Sequence, residues 1–157
     1  LNEVFSDFDT LIDKYGQEKI KTNGDCYMIA SGEPEPRAEH PQEHTQMALE
    51  MQEHIKAHEY SGHRLDFRMG INSGPVVAGV IGRKKFIYDL WGDAVNTASR
   101  MESNGKEGSI QITEATYDLI KEEFICEPQG TIHVKGKGKM DVWHVLGENA
   151  DSTAAAI

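Results

Sequence analysis

Apolar residues near the start of the chain recur at spacings of three and four. Val4, Phe5, Phe8, Leu11 and Ile12 form a stripe that predicts an amphipathic helix ending at Gly16. The pattern then shortens. Glu18 to Thr22 and Cys26 to Ser31 read as two strands flanking Asn23-Gly24-Asp25, and Asn-Gly between strand-like runs predicts a hairpin with Asp25 at its tip. Residues 32–41, with Pro34 and Pro36, read as a loop, and Gln42 to His58, with Met47, Leu49, Met51 and Ile55, as a helix. Leu65 to Ile71 alternates as a strand. An apolar, glycine-punctuated run (Val76 to Gly82), a basic turn (Arg83-Lys84-Lys85) and a strand (Phe86 to Trp91) follow. Gly92 to Ser103 puts Ala94, Val95, Ala98 and Met101 on one helical face, and presents Asn96 and Arg100 together, because residues four apart share a face. A strand (Ile110 to Ile112), a helix capped by Thr113 (Glu114 to Glu122) and a pair of strands (Thr131 to Val134, Val142 to Val145) complete the pattern, with Glu148 to Ile157 as a frayed tail. Hairpins mixed with crossovers, without a strict strand-helix-strand rhythm, predict an α+β sandwich of helices on a mostly antiparallel sheet.

Composition narrows what such a domain can do. The 157 residues fit one core. No apolar run approaches the ~20 residues that span a bilayer, so this segment is expected to make no membrane contact. The first residues carry no secretory signal and read as the inside of a longer protein. With 26 acidic against 16 basic residues, the formal charge of -10 repels phosphate backbones and excludes a general nucleic-acid binder. A bound polyanion then needs a few well-placed cations and a divalent metal. Two cysteines without CxxC spacing suit a reducing cytoplasm, the expected location.

Two blocks carry the most specific signal: Glu18 to Asp25 (EKIKTNGD) and Tyr88 to Glu102 (YDLWGDAVNTASRME). Both resemble signature segments of the class III adenylyl and guanylyl cyclases, in the same order. Val134-Lys135-Gly136-Lys137-Gly138 resembles that family's phosphate-binding strand, and Gly70 to Gly74 with Ala78-Gly79 resembles its linking stretch. The resemblance covers nearly the whole chain, and implies a ferredoxin-like, palm-type sandwich over 1–147 with a flexible tail over 148–157.

It also implies an activity: conversion of ATP to 3′,5′-cyclic AMP and pyrophosphate by in-line attack of the ribose 3′-oxygen on the α-phosphorus. Such chemistry needs metals, phosphate-binding cations and a base-reading pair. Asp25 matches one of two aspartates that hold two Mg²⁺ or Mn²⁺ ions per site. Lys21 and Asp89 match the pair that reads adenine, the ammonium donating to a ring nitrogen and the carboxylate accepting from the 6-amino group. GTP-using relatives tend to carry Glu and Cys there. Asn96 and Arg100 match the residues that orient the ribose and stabilise charge on the α-phosphate. Lys137 matches a lysine on the terminal phosphates, with Lys84 assisting and Lys135 and Arg83 as substitutes. Since the metal aspartates come from one subunit and the other residues from its mate, the resemblance implies a homodimer with two equivalent sites. An upstream regulatory domain, with a membrane anchor as one option, is expected in the full-length protein.

The family's first strand, with its Phe-x-Asp-Ile and the other metal aspartate, precedes the helix that here starts at Leu1 and has no counterpart in the chain. That departure keeps a second reading open: a cyclase-like domain that binds nucleotide and regulates without turnover. His40-Pro41-Gln42-Glu43-His44 has the spacing of an inverted zinc-peptidase motif. Pro41 places it at a helix start, and no downstream acidic ligand is marked, so a peptidase is not expected. His54 and His58 read as an exposed polar helix face.

Overall fold

A computed structural model describes residues 2–15, 18–23, 26–30, 40–57, 67–74, 77–81, 87–91 and 93–149, with side chains at 4–15, 27–29, 41–57, 67–74 and 93–149. The chain divides into two compact units, residues 1–65 with 75–93, and residues 66–74 with 94–157.

In the first unit, helix α1 (Asn2–Tyr15) buries Val4, Phe8 and Ile12, each four residues from the last, as the apolar spacing predicts. It packs on helix α2 (His40–Ala57), which contributes Met47, Ala48, Met51 and Ile55. Each of the larger of these side chains stabilises the unit by about 1.5–3 kcal/mol relative to exposure. The unit also holds strands β1 (Glu18–Asn23) and β2 (Cys26–Ala30), an antiparallel hairpin. Phe5 and Phe8 meet Tyr27 of β2 at ring-centroid distances of 5.0 and 5.6 Å. The Tyr27 hydroxyl donates to Asp9, and burial, that bond and the charges of Asp9 and Asp13 push its pKa up.

Helix α2 starts at His40, two residues before the expected Gln42. Pro41 is accommodated in the first turn, where its missing N–H has no intrahelical partner to lose. Thr45 is buried and donates from Oγ1 to the Pro41 carbonyl at 2.8 Å. His54 differs from the expected exposed face: it is half-buried, with Nε2 2.8 Å from Asp7 Oδ2 across the helix pair. His58 lies outside the described residues.

The second unit is built on a four-stranded mixed sheet of order β3-β6-β8-β7, formed by β3 (Met69–Ile71), β6 (Ile110–Thr113), β7 (Phe124–Val134) and β8 (Gly138–Glu148). Only β3 and β6 run parallel. Every residue of β6 is buried, which fits a central strand. The core gathers Ile71, Met101, Ile110, Ile112, Ile120, Phe124, Val134, Val142 and Val145. Two helices belong to this unit: α4 (Glu114–Ile120) and the greater part of α3 (Asp93–Ser103). Thr113 caps α4 as expected, its Oγ1 accepting from Thr116 N–H at 3.4 Å. The Tyr117 ring stacks on Trp143 of β8 at 4.4 Å.

Two expectations need correction. Strand β3 is three residues long, because Phe67 and Arg68 lie outside it, and Leu65 is outside the described residues. The final hairpin is much longer than Thr131 to Val134 and Val142 to Val145. Pro128 and Gly130 argue against a strand, yet β7 runs through them with register shifts between Ile125 and Cys126 and between Pro128 and Gly130. Such bulges absorb a proline, and β7 is the edge of the sheet among the described residues, a position where proline is tolerated. The sheet also takes in the first residue of the expected tail, since β8 includes Glu148, and Asn149 N–H beyond it bonds the Glu123 carbonyl at 2.9 Å. Residues 150–157 lie outside the described residues. Among the described residues, no helix is long and apolar enough to cross a membrane.

Candidate active site

Strand β5 (Ile87–Trp91) pairs antiparallel with β4 (Val77–Ile81), with Asp89 opposite Gly79. In the same unit β1 lies against β5, so the strand that carries Lys21 neighbours the strand that carries Asp89. β1 holds an extra residue, Ile20, in the register shift between Lys19 and Lys21. Bulges of this kind bend a strand and often re-aim it beside a ligand. The β1–β2 hairpin closes at Asn23 opposite Cys26, so Gly24 and Asp25 are the two residues that join the strands. Asp25 itself lies outside the described residues, as do Arg83 and Lys84.

Helix α3 presents Asn96 and Arg100 one turn apart, both exposed. Its opposite side buries Thr97 and Met101. Ala94, Val95 and Ala98, expected beside Met101, are only half-buried. Threonine was overlooked because it reads as polar, while its methyl group packs as an apolar one.

The end of this helix is fully accounted for. The last four carbonyls of an α-helix lack intrahelical partners. Here Arg100 C=O accepts from Asn104 N–H at 2.9 Å, and Glu102 C=O from Gly105 N–H at 3.1 Å. Met101 C=O accepts from Gln111 Nε2 at 3.2 Å, and Ser103 C=O from Arg68 Nη1 at 3.3 Å. Gly70 of β3 sits directly under the helix: a Cβ there would lie 2.6 Å from Ala98 O and 2.7 Å from the Met101 carbonyl carbon. Only glycine permits so close an approach.

Lys137 is not in a strand, in contrast to the expected phosphate-binding strand. β7 ends at Val134, and Lys137 N–H bonds the Val134 carbonyl at 2.9 Å, which closes a turn. Gly136 takes a φ of +83° at the third turn position, where glycine is favoured. Lys135 and Lys137 are both exposed at this hairpin tip.

Two groupings therefore exist, one in each unit: the strands of Lys21 and Asp89, and the helical pair Asn96 and Arg100. Among the described residues no three His, Cys, Asp or Glu side chains cluster as metal ligands. The inverted peptidase motif falls on α2, where Glu43 and His44 are half-buried. The sequence reading missed the residues that hold α3 in place, Gly70, Asn72 and Gln111. A glycine beside a short apolar strand, and amides at the ends of apolar strands, were the available signals.

Residues 1–147 match the family model of the adenylate and guanylate cyclase catalytic domain. An adenylate cyclase of Mycobacterium tuberculosis is 45% identical over 94% of this chain and 33% of its own length. The receptor-type guanylate cyclase gcy-5 of Caenorhabditis elegans is 38% identical over 98% of this chain and 14% of its own. The chain thus spans a third or less of these curated relatives. The guanylate cyclase domain of RhGC from Catenaria anguillulae, solved in complex with GTP, superposes with a TM-score of 0.91 at 40% identity, covering 94% of this chain and 82% of that one. The α+β fold is the one these domains share, and the chain belongs to the adenylate and guanylate cyclase catalytic domain family.

Proposed function

We propose that this chain is the catalytic domain of an adenylyl cyclase, which forms 3′,5′-cyclic AMP and pyrophosphate from ATP in a homodimer. In the reaction the ribose 3′-OH loses its proton, an O3′–Pα bond forms, and the bond from Pα to the bridging oxygen breaks as pyrophosphate leaves. Base choice rests on Lys21 and Asp89. Adenine offers a ring-nitrogen acceptor and an amino donor, and an ammonium and a carboxylate complement that pattern. Guanine presents the reverse, and each unmatched buried polar group costs about 1–3 kcal/mol. The observation that supports this reading is the adjacency of β1 and β5, the strands that carry Lys21 and Asp89, in one unit.

Asn96 orients the ribose and Arg100 meets the α-phosphate, where a planar guanidinium can place two parallel hydrogen bonds as charge develops. Lys137 at the hairpin tip and Lys84 in the basic turn bind the terminal phosphates. A carboxylate is a suitable ligand for a hard divalent cation, and Asp25 is the residue assigned to Mg²⁺ or Mn²⁺. Asp25 would hold such an ion, whose charge would lower the pKa of the 3′-hydroxyl and help to neutralise the leaving group.

Purified protein incubated with Mn²⁺ and either ATP or GTP tests the proposal. Cyclic AMP from ATP, with little cyclic GMP from GTP, is the expected result. Preferential cyclic GMP formation would overturn the base assignment, and nucleotide binding without product would favour a regulatory domain.

A further inference from the structure

Helix α3 is held at both ends by the same device. At its first turn Asn72, just past β3, donates from Nδ2 to the Ala94 carbonyl at 3.0 Å, and its Oδ1 accepts from Thr113 Oγ1 at 2.6 Å. At its last turn Gln111 of β6 donates from Nε2 to the Met101 carbonyl at 3.2 Å, and its Oε1 lies 3.2 Å from His144 Nε2. A backbone carbonyl can only accept, so the orientation of each amide is forced. Proton direction then follows along both chains. Thr113 accepts from Thr116 N–H, so its own hydroxyl hydrogen is available for Asn72. His144 must carry its proton on Nε2.

We infer that Asn72 and Gln111 are positioning residues, which set the axial position and rotation of α3 and thereby the reach of Asn96 and Arg100. The inference rests on the roles proposed for those two side chains. Asn72 grips the helix two residues before Asn96, and Gln111 one residue after Arg100. Between these grips Gly70 lies against the backbone from Ala98 to Glu102, and a Cβ at Gly74 would touch the Ala94 side chain at 3.1 Å. The segment Gly70 to Gly74 therefore runs along the helix as a rail. Ser73 fastens this rail to α4, its Oγ 2.9 Å from Thr116 Oγ1. A helix fixed at two points cannot slide or turn. A displacement of about 1 Å at a reacting centre can cost about a hundredfold in rate.

The test is a pair of nested substitutions in the intact chain, followed by kcat and KM for the preferred nucleotide. Asn72→Asp keeps the acceptor for Thr113 but turns a carboxylate oxygen on the Ala94 carbonyl. It should lower kcat about tenfold and leave KM within about twofold. In an Asn96→Ala background the same change should cost clearly less than in the native chain, because one of the two groups it positions is gone. Gln111→Glu read against Arg100→Ala should behave likewise. A merely structural role would multiply the loss equally in every background, and that result, or no effect of Asn72→Asp, would overturn the inference. Should Asn72→Asp fail to fold, Asn72→Ser, too short to reach Ala94, is measured in the same way. If Asn96→Ala and Arg100→Ala themselves leave kcat unchanged, the proposed roles fail first, and the two failures are told apart.

Discussion

A single pair of side chains carries the proposed choice of nucleotide, and it was readable at the level of residue type. Exchanging both, Lys21→Glu with Asp89→Cys, should move the ratio of kcat/KM for ATP over GTP toward GTP by about 10–100-fold per corrected mismatch. An unchanged ratio removes Lys21 and Asp89 from base recognition. Buried polar residues were harder to see. Gln111 is 3% exposed and His144 9%, although neither type suggests an interior position. Their burial makes sense only through partners far away in sequence, which a single chain read in order does not display. His144 also links stability to pH. Burial, and then the charge of Lys106, lower its pKa below the ordinary 6.5, with Glu127 opposing. The unfolded chain therefore binds the proton more readily. This contribution is fully present above about pH 6.5 and declines as the pH falls through that value toward the depressed one. Denaturant midpoints measured from about pH 8 down to pH 5 should fall more steeply for the native chain than for His144→Gln.

Elements were legible where one face of a helix or one tight turn determines them. Helix α1, the β1–β2 hairpin, α3 and the Thr113 cap of α4 follow from apolar spacing, Asn-Gly and a capping hydroxyl. The eleven-residue strands β7 and β8 did not, because their pairing overrides the local preferences of Pro128, Gly130 and the intervening charges. The candidate site divides in the same way. Asn96 and Arg100 share a face by helical arithmetic, whereas Gly70, which decides how close α3 comes to β3, shows its purpose only in three dimensions. Gly70→Ala forces a methyl group into the backbone of α3. It should cost about 2 kcal/mol and lower Tm by about 4–8 °C, as thermal unfolding would record. Gly108→Ala, where nothing lies within 4 Å of the added carbon but φ is +77°, offers a comparison limited to backbone strain.

For the whole molecule, the proposed homodimer makes a numerical prediction. Asp25→Ala and Arg100→Ala homodimers should each be nearly inactive, since every site lacks one partner's contribution. Mixed in equal amounts and allowed to exchange, half the dimers pair one of each, and each such dimer holds one intact site. Activity should recover to about a quarter of that of the native protein. No recovery in a mixture shown to exchange subunits means that both residues serve a site within one subunit. The acidic balance of the chain, -10 overall, opposes close association at long range, so pairing should strengthen as salt rises.

The strand at the edge of the sheet among the described residues bears on this need for a partner. Among the described residues β7 has a neighbour on one side only, and eleven residues of such edge backbone could zip onto the same strand of another copy and grow without limit. Two irregularities in the pairing of β7 with β8 break the regular spacing that zipping requires. A chain that is proposed to work by meeting its own copy must also avoid meeting it in the wrong way, and the bent rim of this sheet blocks one such encounter.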